Sequence, residues 1–97
     1  MHTIAKSALV EFWQKHPPAA GPLQAWYRTM ESGVFVDFNN LKATFASADY
    51  VDPFTVFNMG GNKYRLITVI HYNRRKVFIR AILTHEEYSR GDWKRGR

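Results

Sequence analysis

Lys63, Arg65, Arg80, His85 and Tyr88 all fall in the segment VFNMGGNKYRLITVIHYNRRKVFIRAILTHEEY, which spans Val56 to Tyr88. Cleavage of RNA by its own 2′-hydroxyl needs a base for that hydroxyl, positive charge for the developing phosphorane and an acid for the departing 5′-oxygen. These residue types can fill all three roles. Arg65 and Arg80 carry planar donor forks that match phosphate oxygens, and histidine titrates close enough to neutrality for His85 to move protons. Lys63 becomes a second candidate base if nearby arginine charges ease its deprotonation, and Tyr88 could stack on a nucleobase or orient the hydroxyl. The acidic residues are scattered, so no two-metal carboxylate cluster competes with this chemistry; the adjacent pair Glu86-Glu87 reads as a solvated helix start.

The elements that must position these residues begin at Phe54. Thr55–Asn58, Lys63–Tyr72 and Lys76–Thr84 are rich in Val, Ile, Phe, Tyr and Thr, and turn formers separate them at Gly60-Gly61 and at Asn73-Arg74. An antiparallel meander of three strands is expected. A second turn of two or four residues places Arg65 opposite Ile82 and Arg80 opposite Ile67, which makes the two arginines diagonal neighbours. A two-residue Gly60-Gly61 turn would pair Asn58 with Lys63 and Val56 with Arg65. Asn58, Lys63, Arg65 and Arg80 then share one face, and Asn58, Arg74, Arg75 and Lys76 are the accompanying candidates for RNA binding. A three-residue second turn would slip the register by one and scatter the set.

Alternation along the last strand puts Val77, Ile79, Ala81 and Leu83 on an apolar face toward the helices, with Lys76, Phe78, Arg80, Ile82 and Thr84 pointing away. Thr84 followed three residues later by Glu87 has the form of a capping box, so a short helical turn is expected to follow and to present His85 and Tyr88 on one side.

Upstream, Ala5, Ala8, Leu9, Phe12 and Trp13 form the stripe of an amphipathic helix that Pro17-Pro18 ends. Pro22 suits the first turn of a second helix whose core face is Leu23, Trp26, Tyr27 and Met30 and whose stop is Ser32-Gly33. The two helices read as an αα-hairpin packed on the sheet, which gives an α+β fold class. Met1–Ile4 is either a small edge strand or a frayed start. In the region from Val34 to Pro53, Asn39 or Asn40 could cap one turn through Leu41 to Phe45, and Ala46 to Pro53 reads as a loop.

Ninety-seven residues suit a single domain, residues 1–97, with 45% hydrophobic side chains to build its core. Fourteen Lys and Arg against eight Asp and Glu give +6, a balance that favours a polyanionic partner and also serves solubility. The absence of cysteine excludes disulfides, thiolate nucleophiles and cysteine-ligated zinc. His2, His16 and His71 show no metal-ligand spacing, and no GxxxxGK[ST] pattern supports a phosphate-binding loop, so neither cofactor nor metal is expected. No apolar run approaches the ~20 residues that span a bilayer, and MHTIAKSALV lacks the pattern of a signal peptide. A cytoplasmic protein that does not engage membranes is the expectation.

The run VFNMGGNKYRLI, the following hairpin and IRAILTHEEY resemble the HigB group of RelE-like toxins from bacterial toxin–antitoxin modules. HTIAKSALVEFWQKHPPAAGPLQAWY resembles the two N-terminal helices of the same group, so the likeness runs from His2 to about Trp93. It implies a RelE-like fold and a ribosome-dependent endoribonuclease, an mRNA interferase, that inhibits translation by cutting mRNA on the ribosome in contact with ribosomal RNA. A helix-turn-helix antitoxin of the HigA type is the implied neutralising partner. By motif, Lys63 and Arg65 in NKYR and Arg80 in the IR pair match the family's basic positions, and His85 and Tyr88 match TH-x-x-Y. RelE-like enzymes differ in which residue is base and which is acid, so both assignments stay open for Lys63 and His85. The tail GDWKRGR is short and basic, and either extends an RNA contact or stays disordered. Two other readings use the same charges: an RNA- or ribosome-binding protein that blocks translation without cleavage, and a basic face that docks an acidic partner.

Overall fold

In the computed structural model, which describes residues 1–96, the periodic apolar stripes of the N-terminal third become two helices. α1 (Lys6–Lys15) buries Leu9 and lays Phe12 and Trp13 against the core, as the three- and four-residue spacing dictates. A 3-10 turn at Pro17–Ala19 hands the chain to α2 (Ala20–Ser32), which buries Leu23, Trp26 and Met30. The edge-strand alternative for the N-terminus is realised: β1 (His2–Ile4) runs parallel to β5 (Lys76–Thr84). It is held there by the end of α2. The Met1 amine donates to the carbonyls of Met30 (2.9 Å) and Gly33 (2.8 Å), and the Thr3 N–H donates to Glu31 Oε2 (2.7 Å). The two bonds from the amine use carbonyls that a helix leaves unsatisfied at its C-terminal end, whereas the third uses a side-chain carboxylate.

α3 (Phe38–Thr44) is capped by Asp37 rather than by Asn39 or Asn40, because Asp37 Oδ1 accepts the N–H of Asn40 at 2.8 Å. Asn40 instead turns its side chain back to accept the Val36 N–H at 3.1 Å. The stretch expected as a loop contains β2 (Asp49–Val51), which pairs antiparallel with β3 (Phe54–Met59). With β4 (Tyr64–His71), the result is a mixed five-stranded sheet of order β1-β5-β4-β3-β2, two strands more than the expected meander.

Both expected registers are corrected. β3 and β4 pair Met59 with Tyr64 and Asn58 with Arg65, so the turn between them is Gly60–Lys63 and not Gly60-Gly61 alone. Gly60, Gly61 and Asn62 all hold positive φ (61°, 60° and 79°), and the left-handed Asn62 extends the turn by a residue type that tolerates this region. Between β4 and β5, the turn-proximal pairs Thr68–Ile79 and His71–Lys76 follow the expected register, but a bulge between Ile67 and Thr68 shifts the rest. Ile67 faces Ala81, Arg65 faces Leu83, and Arg80 is the extra residue.

That bulge also overturns the expected continuous apolar face. Val77 and Ile79 pack toward the helices, but beyond Arg80 the parity changes. Ile82 joins the helix side beside Ala8 and Phe12, while Ala81 and Leu83 move to the opposite face. Phe57, Leu66 and Leu41 complete the helix-side core. The opposite face has an apolar cluster of its own, built on Phe54, Val56 and Ile67 and bordered by Tyr88 and Trp93. α4 (His85–Arg90) and a 3-10 turn at Asp92–Gly96 supply that border. Among the described residues, no helix is long and apolar enough to cross a membrane.

Candidate functional site

The end of the sheet where β4 begins and β5 finishes gathers most of the candidate residues. Asn58 and Arg65 are direct cross-strand partners, and both lie on the face away from the helices, since their neighbours Phe57, Met59 and Leu66 are in the helix-side core. Asn58 Nδ2 donates to Asn62 Oδ1 at 3.1 Å, which ties the strand to the turn. Arg65 Nη1 donates to the carbonyls of Asn62 (3.1 Å) and Tyr64 (3.3 Å), and its guanidinium carbon lies 5.1 Å from the centre of the Tyr88 ring. Two backbone acceptors and one aromatic face therefore fix the plane of this cation.

Lys63 is exposed at the end of the turn, and its carbonyl accepts the N–H of His85 at 3.0 Å. The bond arises because Thr84 is paired with Tyr64 at the close of β5 and then caps α4. Thr84 Oγ1 accepts the N–H of Glu87 (3.3 Å) while Glu87 Oε1 accepts the N–H of Thr84 (2.9 Å), the reciprocal capping box that the sequence announces. His85 is the exposed first residue of α4, with Nδ1 3.5 Å from Ser89 Oγ. One turn later, half-buried Tyr88 leans onto the sheet toward Arg65.

Arg80 shares that face but stands apart from this group. The bulge gives it no cross-strand partner and leaves it exposed at the edge of a cleft lined also by Phe54, Ile67, Ala81 and Trp93. Arg65 faces Leu83 and Arg80 faces no residue of β4, so the expected diagonal pairing of the two arginines does not form. Arg74, Arg75 and Lys76 are exposed at the other end of β4, eight residues or roughly 25 Å from Lys63 at the rise of an extended strand. They do not join the cluster.

Sequence reasoning missed Trp93. Its ring stacks on Tyr88 (5.1 Å between centres, 15° between planes), meets Phe54 edge-on at 5.5 Å, and sends its Nε1–H to the Tyr88 carbonyl at 3.1 Å. The legible signal was Gly91, which ends α4 at φ 77° and turns the chain back over the sheet two residues before the indole. Of the basic tail, the side chains of Arg95 and Arg97 lie outside the described residues. Among those residues, no three His, Asp or Glu side chains gather as a metal site would require.

The arrangement offers a fixed guanidinium, an aromatic ring against it, and a lysine and a histidine joined through their main chains, all at one end of the sheet. Residues 19–91 match a family described as the HigB toxin, the RelE-like toxic component of a toxin–antitoxin system. The chain is 37% identical over 91 residues to the mRNA interferase toxin HigB of Escherichia coli strain K12, covering 91% of this chain and 88% of that protein. It is equally similar to the mRNA interferase HigB of Shigella flexneri, and 29% identical over 93 residues to the mRNA interferase HigB of Escherichia coli O6:H1 strain CFT073 (93% and 90% covered).

Proposed function

The chain belongs to the HigB toxin family of RelE-like toxins, and on that footing we propose that it is a metal-independent endoribonuclease that cuts mRNA on the ribosome. The observation that carries the proposal is the convergence of Lys63, His85, Arg65 and Tyr88 at one end of the sheet, linked by the Lys63–His85 backbone bond and the Arg65–Tyr88 ring contact.

In this mechanism the 2′-oxygen attacks the adjacent phosphorus, the bond from phosphorus to the 5′-oxygen breaks, and the products are a 2′,3′-cyclic phosphate and a 5′-hydroxyl. Lys63 and His85 divide the two proton transfers, one taking the 2′-hydroxyl proton and the other delivering a proton to the 5′-oxygen. Arg65 stabilises the charge that grows on the phosphorane, and its fixed plane spares the cost of reorganising it during the reaction. Arg80, farther along the same face, holds the strand through a neighbouring phosphate. Tyr88 supports Arg65 and orients the nucleotide beside it. Asn58 steadies the turn that carries Lys63. Arg74, Arg75 and Lys76, at the far end, supply charge toward ribosomal RNA.

A cognate antitoxin of the helix-turn-helix HigA type neutralises the protein, and the cytoplasm, where translation runs, is its place of action. Induced expression tests the reading. Growth arrest with new message ends inside translated regions is expected, and both effects should be lost in a folded Lys63→Ala or Arg80→Ala protein. Arrest without new ends would mean that the face grips RNA or the ribosome without cutting.

A further inference from the structure

Arg80 has a role above as a phosphate contact, but the cleft between it and Trp93 has none. It has a volume of about 170 Å³, a floor of Ile67 and Ala81, aromatic walls of Phe54 and Trp93, and the bulged Arg80 at its edge. Resting this step on the RNA reading above, we propose that the cleft is a nucleobase-binding subsite, with Trp93 as its stacking platform.

The composition of the cleft selects the ligand class. A nucleobase is a flat body with apolar faces and a polar rim, and this recess offers apolar and aromatic surface inside with a planar cation at the lip. Its volume is below the ~300 Å³ at which pockets for larger ligands begin, so one ring system is the natural occupant. Ala81 keeps the floor low; a larger side chain there would fill the space. The indole is also held in place before any ligand arrives. Its Nε1–H is bonded to the Tyr88 carbonyl and its ring is stacked on Tyr88, so its orientation follows α4 rather than its own rotamer freedom. Through Tyr88, the platform is two ring contacts from the Arg65 guanidinium. A strand whose phosphate sits on Arg65 thus has a place for a nearby base on the same surface. The bulge that makes Arg80 extra also sets it and Ala81 side by side on this face, which builds lip and floor with one backbone irregularity.

The test is a titration of the full chain with a 2′-O-methyl RNA trinucleotide, which cannot cleave itself, and with the same trinucleotide lacking its central base. The indole N–H resonance of Trp93, identified by its loss in Trp93→Phe, reports on the platform directly. The expected result is a saturable shift of that resonance with the intact trinucleotide and little or none with the abasic one. Trp93→Leu, which keeps apolar cover over Phe54, should weaken the intact trinucleotide roughly tenfold or more, Trp93→Phe less, and neither should alter the abasic one. An unmoved Trp93 resonance at millimolar trinucleotide, or equal shifts with both ligands, would overturn the subsite. Failure of the cleavage reading looks different: the resonance still moves selectively while expressed protein leaves messages intact.

Discussion

The backbone N–H of His85 donates to the carbonyl of Lys63 at 3.0 Å, joining the first residue of α4 to the last residue of the turn between β3 and β4. Main chain, not side-chain packing, therefore sets the spacing of the two residues proposed to move protons. Replacing either side chain leaves the bond in place. Lys63→Ala and His85→Ala should fold with nearly unchanged melting temperatures, and each should lose about 10²–10⁴-fold in cleavage rate. Because the two act on one event, the double variant should be little worse than the poorer single. Multiplying losses would argue that they act independently.

Arg65 is held by its shape as much as by its charge. Lysine at this position keeps the cation but has no planar fork to hold over the Tyr88 ring while bonding the carbonyls of Asn62 and Tyr64. Arg65→Lys should therefore behave more like Arg65→Ala than like wild type, with cleavage reduced at least about tenfold in single-turnover assays. Near-wild-type rates in Arg65→Lys would reduce the role of Arg65 to simple charge.

The capping box sets how firmly α4 presents His85 and Tyr88. Thr84→Ala removes the hydroxyl that accepts from the Glu87 N–H and should cost about 1 kcal/mol, seen as a fall of roughly 4–8 °C in melting temperature for a chain of this length. Thr84→Ser should recover most of it. An unshifted melting temperature in Thr84→Ala would show that α4 is held by Tyr88 and Trp93 packing alone.

The bulge permits a deletion that an ordinary strand would not tolerate. Removing Arg80 leaves Ile79 opposite Thr68 and Ala81 opposite Ile67, so no downstream side chain changes face. The protein lacking residue 80 should fold, with a melting temperature within a few degrees of Arg80→Ala, and both should lose toxicity. A deletion protein that unfolds while Arg80→Ala does not would contradict the register described here.

Much of this fold could be read from residue spacing, and the places where it could not have physical causes. The helices follow from stripes such as Leu23, Trp26 and Met30, and the exit from β5 follows from Thr84 and Glu87, because both signals are local. The register of β5 was hidden because Val77-Phe78-Ile79 and Ala81-Ile82-Leu83 are apolar on both faces, so alternation could not reveal a change of parity at Arg80. The four-residue turn was hidden because Asn62, not a third glycine, extends it. The parallel pairing of β1 joins His2–Ile4 to Lys76–Phe78, segments far apart in sequence, and no local pattern announces it. Among the candidate residues, Lys63, Arg65, His85, Tyr88 and Asn58 come together, whereas Arg74, Arg75 and Lys76 lie at the opposite end of the sheet. Trp93 reaches this face only because Gly91 reverses the chain.

The central claim, that the Lys63–His85 end of the sheet cuts RNA through its 2′-hydroxyl, is tested most directly by mapping 5′-hydroxyl ends of cellular messages shortly after induction. The mechanism predicts new 5′-hydroxyl ends within translated regions for the wild-type protein and their absence for folded Lys63→Ala and His85→Ala proteins. New ends that carry 5′-phosphate instead, or undiminished cleavage by both variants, would contradict it.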